Sequence, residues 1–274
     1  MKGAEIEMVI LRAGYGLDPN GFIISDVSKD KIDKVYVPCI CESVERLKDL
    51  FHQQLHSVYV YGSVARGEAI AFKSDLDLIA LFDGKLSSVQ MAELKKLAGE
   101  LSQAYRSLVR EVGIAVTSYD YTVDPANYYE SAFLKELCVC VYGEDVGERF
   151  GPYKLTSEIA IRFNGDIGED LTRALTRLEA ASNEEFKPCT QSFARKLIRT
   201  FYSMVMVRSQ IWTTRLHEQS EVFIHHFPDK ESMVRTLLKW IDEPPTDREI
   251  VYELFKSEGE WACANFTYEA NRSV

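Results

Sequence analysis

Hydrophobic and polar positions follow two different periods in the first half of the chain. Val44, Leu47, Leu50 and Phe51 recur at three- and four-residue steps, the spacing of one helix face. Val58, Tyr59, Val60 and Tyr61 form a β-rich run that stops at Gly62-Ser63. From Asp75 to Phe82 mixed positions give way to a continuous apolar run, which predicts a strand buried on both faces. Met91, Leu94, Leu97, Leu101, Ala104 and Leu108 predict a long amphipathic helix, with Ser87 or Ser88 as its cap. Further strands are predicted over residues 112–117 and 138–142, the second cut off by Gly143. The first 40 residues carry no such period and are rich in turn formers, among them Gly14, Gly16, Pro19, Asn20 and Gly21.

After Gly151-Pro152 the pattern becomes helical and stays so as far as Phe266. Phe193, Leu197, Phe201, Met204, Val205 and Arg208 lie at three- and four-residue steps, and residues 183–188, Pro228 and Pro244-Pro245 read as punctuation. The expected organisation is an α/β domain over residues 1–152, with an N-terminal extension over 1–40, followed by an all-α helical bundle over 153–274.

Composition narrows the field. A chain of 274 residues, 46% apolar and 27% charged, has the make-up of a globular protein with a substantial core. No run approaches the roughly 20 apolar residues of a membrane span. Acids at Glu5 and Glu7 interrupt any signal-like stretch, so a cytoplasmic protein is expected. The six cysteines include the pairs Cys39/Cys41 and Cys138/Cys140, each one residue apart. That spacing puts both thiols of a strand on one face and is not the spacing of zinc pairs, so core-filling thiols are expected. Net charge is −10, with 15 basic against 19 acidic residues from Leu155 onward and 17 against 23 before it. Neither part offers the broad basic face that a long nucleic acid requires.

The segment with chemical content is Tyr61-Gly62-Ser63-Val64-Ala65-Arg66-Gly67, followed by Ser74-Asp75-Leu76-Asp77-Leu78. Glycine at the end of a strand lets backbone N–H groups approach a phosphate, and Ser63 adds a hydroxyl. Arg66 stands in the first turns after the bend, where a helix start also favours an anion. Asp75 and Asp77 are two residues apart, so on a strand both carboxylates share a face. Two such acids repel each other unless a divalent cation lies between them. A phosphate cradle facing a carboxylate pair is the equipment of metal-assisted phosphoryl or nucleotidyl transfer.

These residues resemble the signature of the nucleotidyltransferase superfamily to which DNA polymerase beta belongs, and most closely its small-molecule branch, which includes the aminoglycoside adenylyltransferases. The resemblance implies an α/β (α+β) nucleotidyltransferase domain with a mixed central sheet, followed by a helical domain. It also implies one or two Mg²⁺ ions on Asp75 and Asp77, with Gly62, Ser63, Arg66 and Ser74 at the nucleotide. ATP or another nucleoside triphosphate would be the co-substrate and a small hydroxylated molecule the acceptor. Glu111 is similar to the glutamate that opens the corresponding strand in streptomycin/spectinomycin-type adenylyltransferases, where it is expected to act as general base. The residues inside that strand, Gly113 and Ala115, carry no acid. The stretch from Arg195 to Thr213, then Phe227-Pro228, resembles the helical domain of the same group.

Outside the motif, Trp212 is a candidate for stacking on the acceptor, against the ordinary role of a large aromatic in a core. His225 and His226 are adjacent and on a helix would face different ways, which argues against a metal role. Ser63 has no nearby histidine to activate it as a nucleophile. The expected reaction is transfer of a nucleoside monophosphate, AMP by default, to a small-molecule hydroxyl. The alternatives are adenylylation of a protein side chain, a non-catalytic nucleotide-binding or antitoxin-type protein, and untemplated RNA tailing, which the acidic balance disfavours.

Overall fold

The computed structural model describes residues 11–272. The first ten residues, on which the cytoplasmic expectation rests and which head the expected N-terminal extension, lie outside the described residues, as do 273 and 274. The chain divides into two compact units, Ile24–Tyr153 and a second formed by residues 11–23 with 154–272. Among the described residues no helix is long and apolar enough to cross a membrane.

The first unit is built on a four-stranded mixed sheet in the order β3-β2-β1-β4, with β1 Leu55–Tyr61, β2 Leu76–Phe82, β3 Val112–Ser118 and β4 Cys138–Gly143. β1 runs antiparallel to β2 and β4, whereas β2 and β3 are parallel. Alternation along the strands divides the core in two. Val58, Val60, Leu76, Leu78, Ala80 and Phe82 face α1 (Val37–Phe51) and α3 (Ser88–Ala104), meeting Leu47, Phe51, Leu94, Leu97 and Leu101. Tyr59 and Leu81 face the other way, into a smaller cluster with Leu134, Cys138, Cys140 and Val146. This is the two-faced burial that the unbroken apolar run of β2 predicted.

Local chemistry fixes the element ends. Ser87 caps α3 in a reciprocal capping box with Gln90. The helix is shorter than its stripe suggested: Leu108 lies beyond its last residue, and Met91 faces solvent. Cys39 and Cys41 sit on α1 rather than on a strand, so two residues of separation place them on different sides, one buried and one exposed. Cys138 and Cys140, on β4, are both buried.

Six helices form the second unit: α6 Ser157–Asn164, α7 Ile167–Ala180, α8 Asn183–Ser209, α9 Leu216–His226, α10 Glu231–Asp242 and α11 Arg248–Ala270. The 27-residue α8 is the central rod, touched by the other five. Residues 183–188, read from sequence as punctuation, belong to α8 itself. Pro188 is accommodated because the carbonyl deprived of its partner is that of Glu184, in the exposed opening turn. Residues 11–23 join this unit rather than the sheet. Gly14 N–H donates to the Gln210 carbonyl and Trp212 N–H to that of Tyr15, while Phe22 bridges to Lys154.

One buried acid stands out in the first unit. Glu136, on α5 (Ser131–Leu137), is 4% exposed, and burial pushes its carboxyl up to about 7. A carboxyl raised above its unfolded value favours folding fully below that value and loses the contribution as pH climbs through about 7. Glu136→Gln is therefore expected to gain stability relative to the parent between pH 5 and pH 8, by up to about 3 kcal/mol. Thermal unfolding of both proteins at the two pH values measures this, and parallel curves would contradict it.

Candidate active site

β1 ends at Tyr61 and the chain bends at Gly62, whose φ of +74° lies in the left-handed region open to glycine. Residues Gly62–Arg66 form the short helix α2, closed by Gly67 at φ +73°. The antiparallel register pairs Tyr61 with Asp77, which brings the bend against the second acid of the motif. A Cβ on Gly62 would lie 2.7 Å from Asp77 Oδ2, closer than any side chain tolerates. On the other flank the parallel register pairs Asp77 with Gly113, where a Cβ would stand 3.6 Å from Oδ1. The Asp77 carboxylate thus lies between two positions that both lack a side chain.

Asp75 directly precedes β2, two residues before Asp77. Its two oxygens are held by the fork of Arg110, with Nε 2.9 Å from Oδ1 and Nη2 on Oδ2. The backbone braces this arrangement, since Arg110 N–H donates to the Ser74 carbonyl at 3.0 Å and Leu76 N–H to the Glu111 carbonyl at 2.9 Å. Glu111 is exposed and stands one residue ahead of the first β2–β3 pair, Leu76 with Val112. The hydrogen bond to Asp75 raises the Arg110 guanidinium above its ordinary value, and the charges of Asp75, Glu111 and Asp77 add to it. All three candidate acids therefore act on one cation. Among the described residues no three His, Cys, Asp or Glu side chains converge as a metal cage.

The other motif residues play local parts. Arg66 pairs with Glu68 at 2.9 Å. Ser74 Oγ accepts from Ile70 N–H at 2.9 Å and so shapes the loop that delivers Asp75. In that loop Phe72 is 67% exposed with φ +66°, an uncommon conformation for an aromatic residue, and its N–H donates to the Leu108 carbonyl. Ser63 is half-buried in the first turn of α2, and its carbonyl accepts from Glu68 N–H. Trp212 lies in the second unit, 4% exposed, beside Phe163 and against Gly16, with no hydrogen-bond partner for its indole N–H among the described residues.

Arg110 was readable from the sequence only as the neighbour of Glu111. Its bond to Asp75 depends on the parallel β2–β3 register, which no local pattern states. The close approach of Gly113 to Asp77 has the same origin. Gly62→Ala would force a side chain into the left-handed bend and against Oδ2, so a loss of about 1–2 kcal/mol in folding stability is expected from the backbone alone. Chemical denaturation measures it, and a variant as stable as the parent would contradict the geometry.

Residues 40–125, which contain the bend, both aspartates and Glu111, match the family model described as a nucleotidyltransferase domain. A search of curated protein sequences gives no significant match. Among solved structures the chain is similar to spectinomycin adenyltransferase AAD(9) from Enterococcus faecialis, determined with ATP and spectinomycin. The TM-score is 0.53 at 10% identity, over 80% of this chain and 98% of that one, which shows a shared fold. Residues 40–125 thus match a nucleotidyltransferase domain, and the chain as a whole shares its fold with that adenyltransferase.

Proposed function

We propose that this protein is a metal-dependent nucleotidyltransferase that moves a nucleoside monophosphate, AMP from ATP, to a hydroxyl of a small molecule. The observation that carries the reading is the Asp77 carboxylate set against the side-chain-free bend at Gly62, with Asp75 two residues earlier, directly ahead of the strand. The matched nucleotidyltransferase segment and the fold shared with an enzyme solved with ATP and spectinomycin support it. The acidic balance of the chain supports a small acceptor over a long nucleic acid.

The donor set suits a hard divalent cation. Asp75 and Asp77 are oxygen ligands of the kind Mg²⁺ takes, and the room left by the missing Cβ at Gly62 lies beside Oδ2. Such an ion would neutralise charge on the triphosphate. In this reading Gly62 and Ser63 receive the phosphates through backbone N–H and hydroxyl groups, and Arg66 and Ser74 keep the α2 turn and the loop before Asp75 in shape. Glu111, exposed at the mouth of β3, takes the proton of the acceptor hydroxyl. The oxygen so freed attacks the α-phosphorus, the bond from that phosphorus to the bridging oxygen breaks, and pyrophosphate departs with the electron pair. Positioning and charge stabilisation supply most of the rate in such transfers. Trp212, 4% exposed beside Phe163, is given the part of a core aromatic in this reading.

Pyrophosphate release from ATP and Mg²⁺ across a panel of hydroxylated compounds tests the proposal. An accepted compound should give turnover that Asp75→Asn and Asp77→Asn each lower by about 100-fold or more while thermal stability is kept. Glu111→Gln should lower kcat with little change in the KM for ATP. Full turnover in either Asn variant would remove the paired acids from the chemistry. Tight ATP binding without turnover on any acceptor would favour a non-catalytic nucleotide binder, and label from ATP appearing in protein would favour a protein acceptor.

A further inference from the structure

The most constrained ion pair near the bend is the one between Arg110 and Asp75. Both oxygens of Asp75 are engaged by one planar guanidinium, the geometry in which arginine binds a carboxylate best. The pair is partly open to solvent, with 40% of the Arg110 side chain and 25% of the Asp75 side chain exposed. The backbone bonds from Arg110 to Ser74 and from Leu76 to Glu111 hold the main chains of the two residues side by side.

An acid whose two oxygens are both bonded to a guanidinium has little left to offer a cation. We propose that Arg110 is a built-in counter-ion of the paired-aspartate site, holding Asp75 until a divalent metal ion displaces its guanidinium. The inference rests on the paired-aspartate reading given above. Arg110 lies under the combined field of Asp75, Asp77 and Glu111, so it offsets the repulsion that three neighbouring acids would otherwise feel. A metal ion must compete with that compensation. Metal affinity without nucleotide is thereby kept low, and metal arriving together with the triphosphate is favoured because the pair of ligands shares the task of releasing the fork. Arg110 acts here through Asp75 and is a positioning residue.

The test is Mn²⁺ binding to the full chain without nucleotide, followed by electron paramagnetic resonance of the free ion. A partly exposed ion pair contributes up to about 1 kcal/mol, which is about fivefold in affinity. Arg110→Gln should bind Mn²⁺ about fivefold more tightly than the parent, and the gain should vanish when Asp75→Asn is added. Lys73→Gln removes an exposed charge two residues before Asp75, and its smaller shift would separate the specific pair from the general field. A direct readout is the Arg110 Nε resonance, which should move on addition of Mg²⁺ in the parent and stay fixed in Asp75→Asn. Mn²⁺ affinity unchanged or weakened in Arg110→Gln, with Asp75→Asn still weakening the parent, would overturn the counter-ion role and leave the paired acids standing. Mn²⁺ binding indifferent to Asp75→Asn in both backgrounds would overturn the paired acids and the counter-ion together.

Discussion

The site depends on one close approach, that of the Asp77 carboxylate to the backbone of Gly62. A methyl carbon on Gly62 would stand 2.7 Å from Oδ2, so the carboxylate would have to shift. The approach is enforced from three sides. The antiparallel pairing of Tyr61 with Asp77 sets the height, the left-handed turn at Gly62 swings the chain out of the sheet, and the pairing with Gly113 leaves the opposite flank open. The hydrophobic layers then hold this register. A slip of one residue along β2 would turn Leu76, Leu78 and Ala80 out of the larger core and Asp77 into it. The same burial that stabilises the sheet therefore keeps Asp77 on the face where the bend lies.

Much of this was legible in the residues. The four strands announce themselves because each apolar run is short, and two of them stop at a glycine, Gly62 and Gly143. The helical half is legible because its apolar residues keep a helical step. The motif could be read because it is local, compressed into residues 61–78, and its meaning depends only on a strand, a turn and a strand. What escaped is non-local. The turn-rich stretch before residue 24 has no period, and its allegiance to the helical unit is made by backbone bonds with Gln210 and Trp212 that no side chain advertises.

The remaining misreadings have similarly concrete causes. Cys39 and Cys41 look alike in spacing to Cys138 and Cys140, yet one pair lies on a helix and the other on a strand, so the same interval gives opposite burial. Pro188 resembles a helix breaker, and it is tolerated because it falls where the deprived carbonyl is open to water. Arg110 belongs to no sequence motif, and only the pairing of β2 with β3 brings it to Asp75. Glu136 carries no mark in sequence of the burial that changes its proton affinity.

Strands β1, β2 and β3 are neighbours in the sheet in the same order as in the chain, and β4 is added afterwards on the far side of β1. Every group that the proposed chemistry uses at the nucleotide is consequently supplied between residues 62 and 111, inside a contiguous stretch that folds back on itself twice. The order of the strands thus keeps the bend, both aspartates and Glu111 within one stretch of chain, and that stretch lies inside the segment that matches the nucleotidyltransferase-domain model.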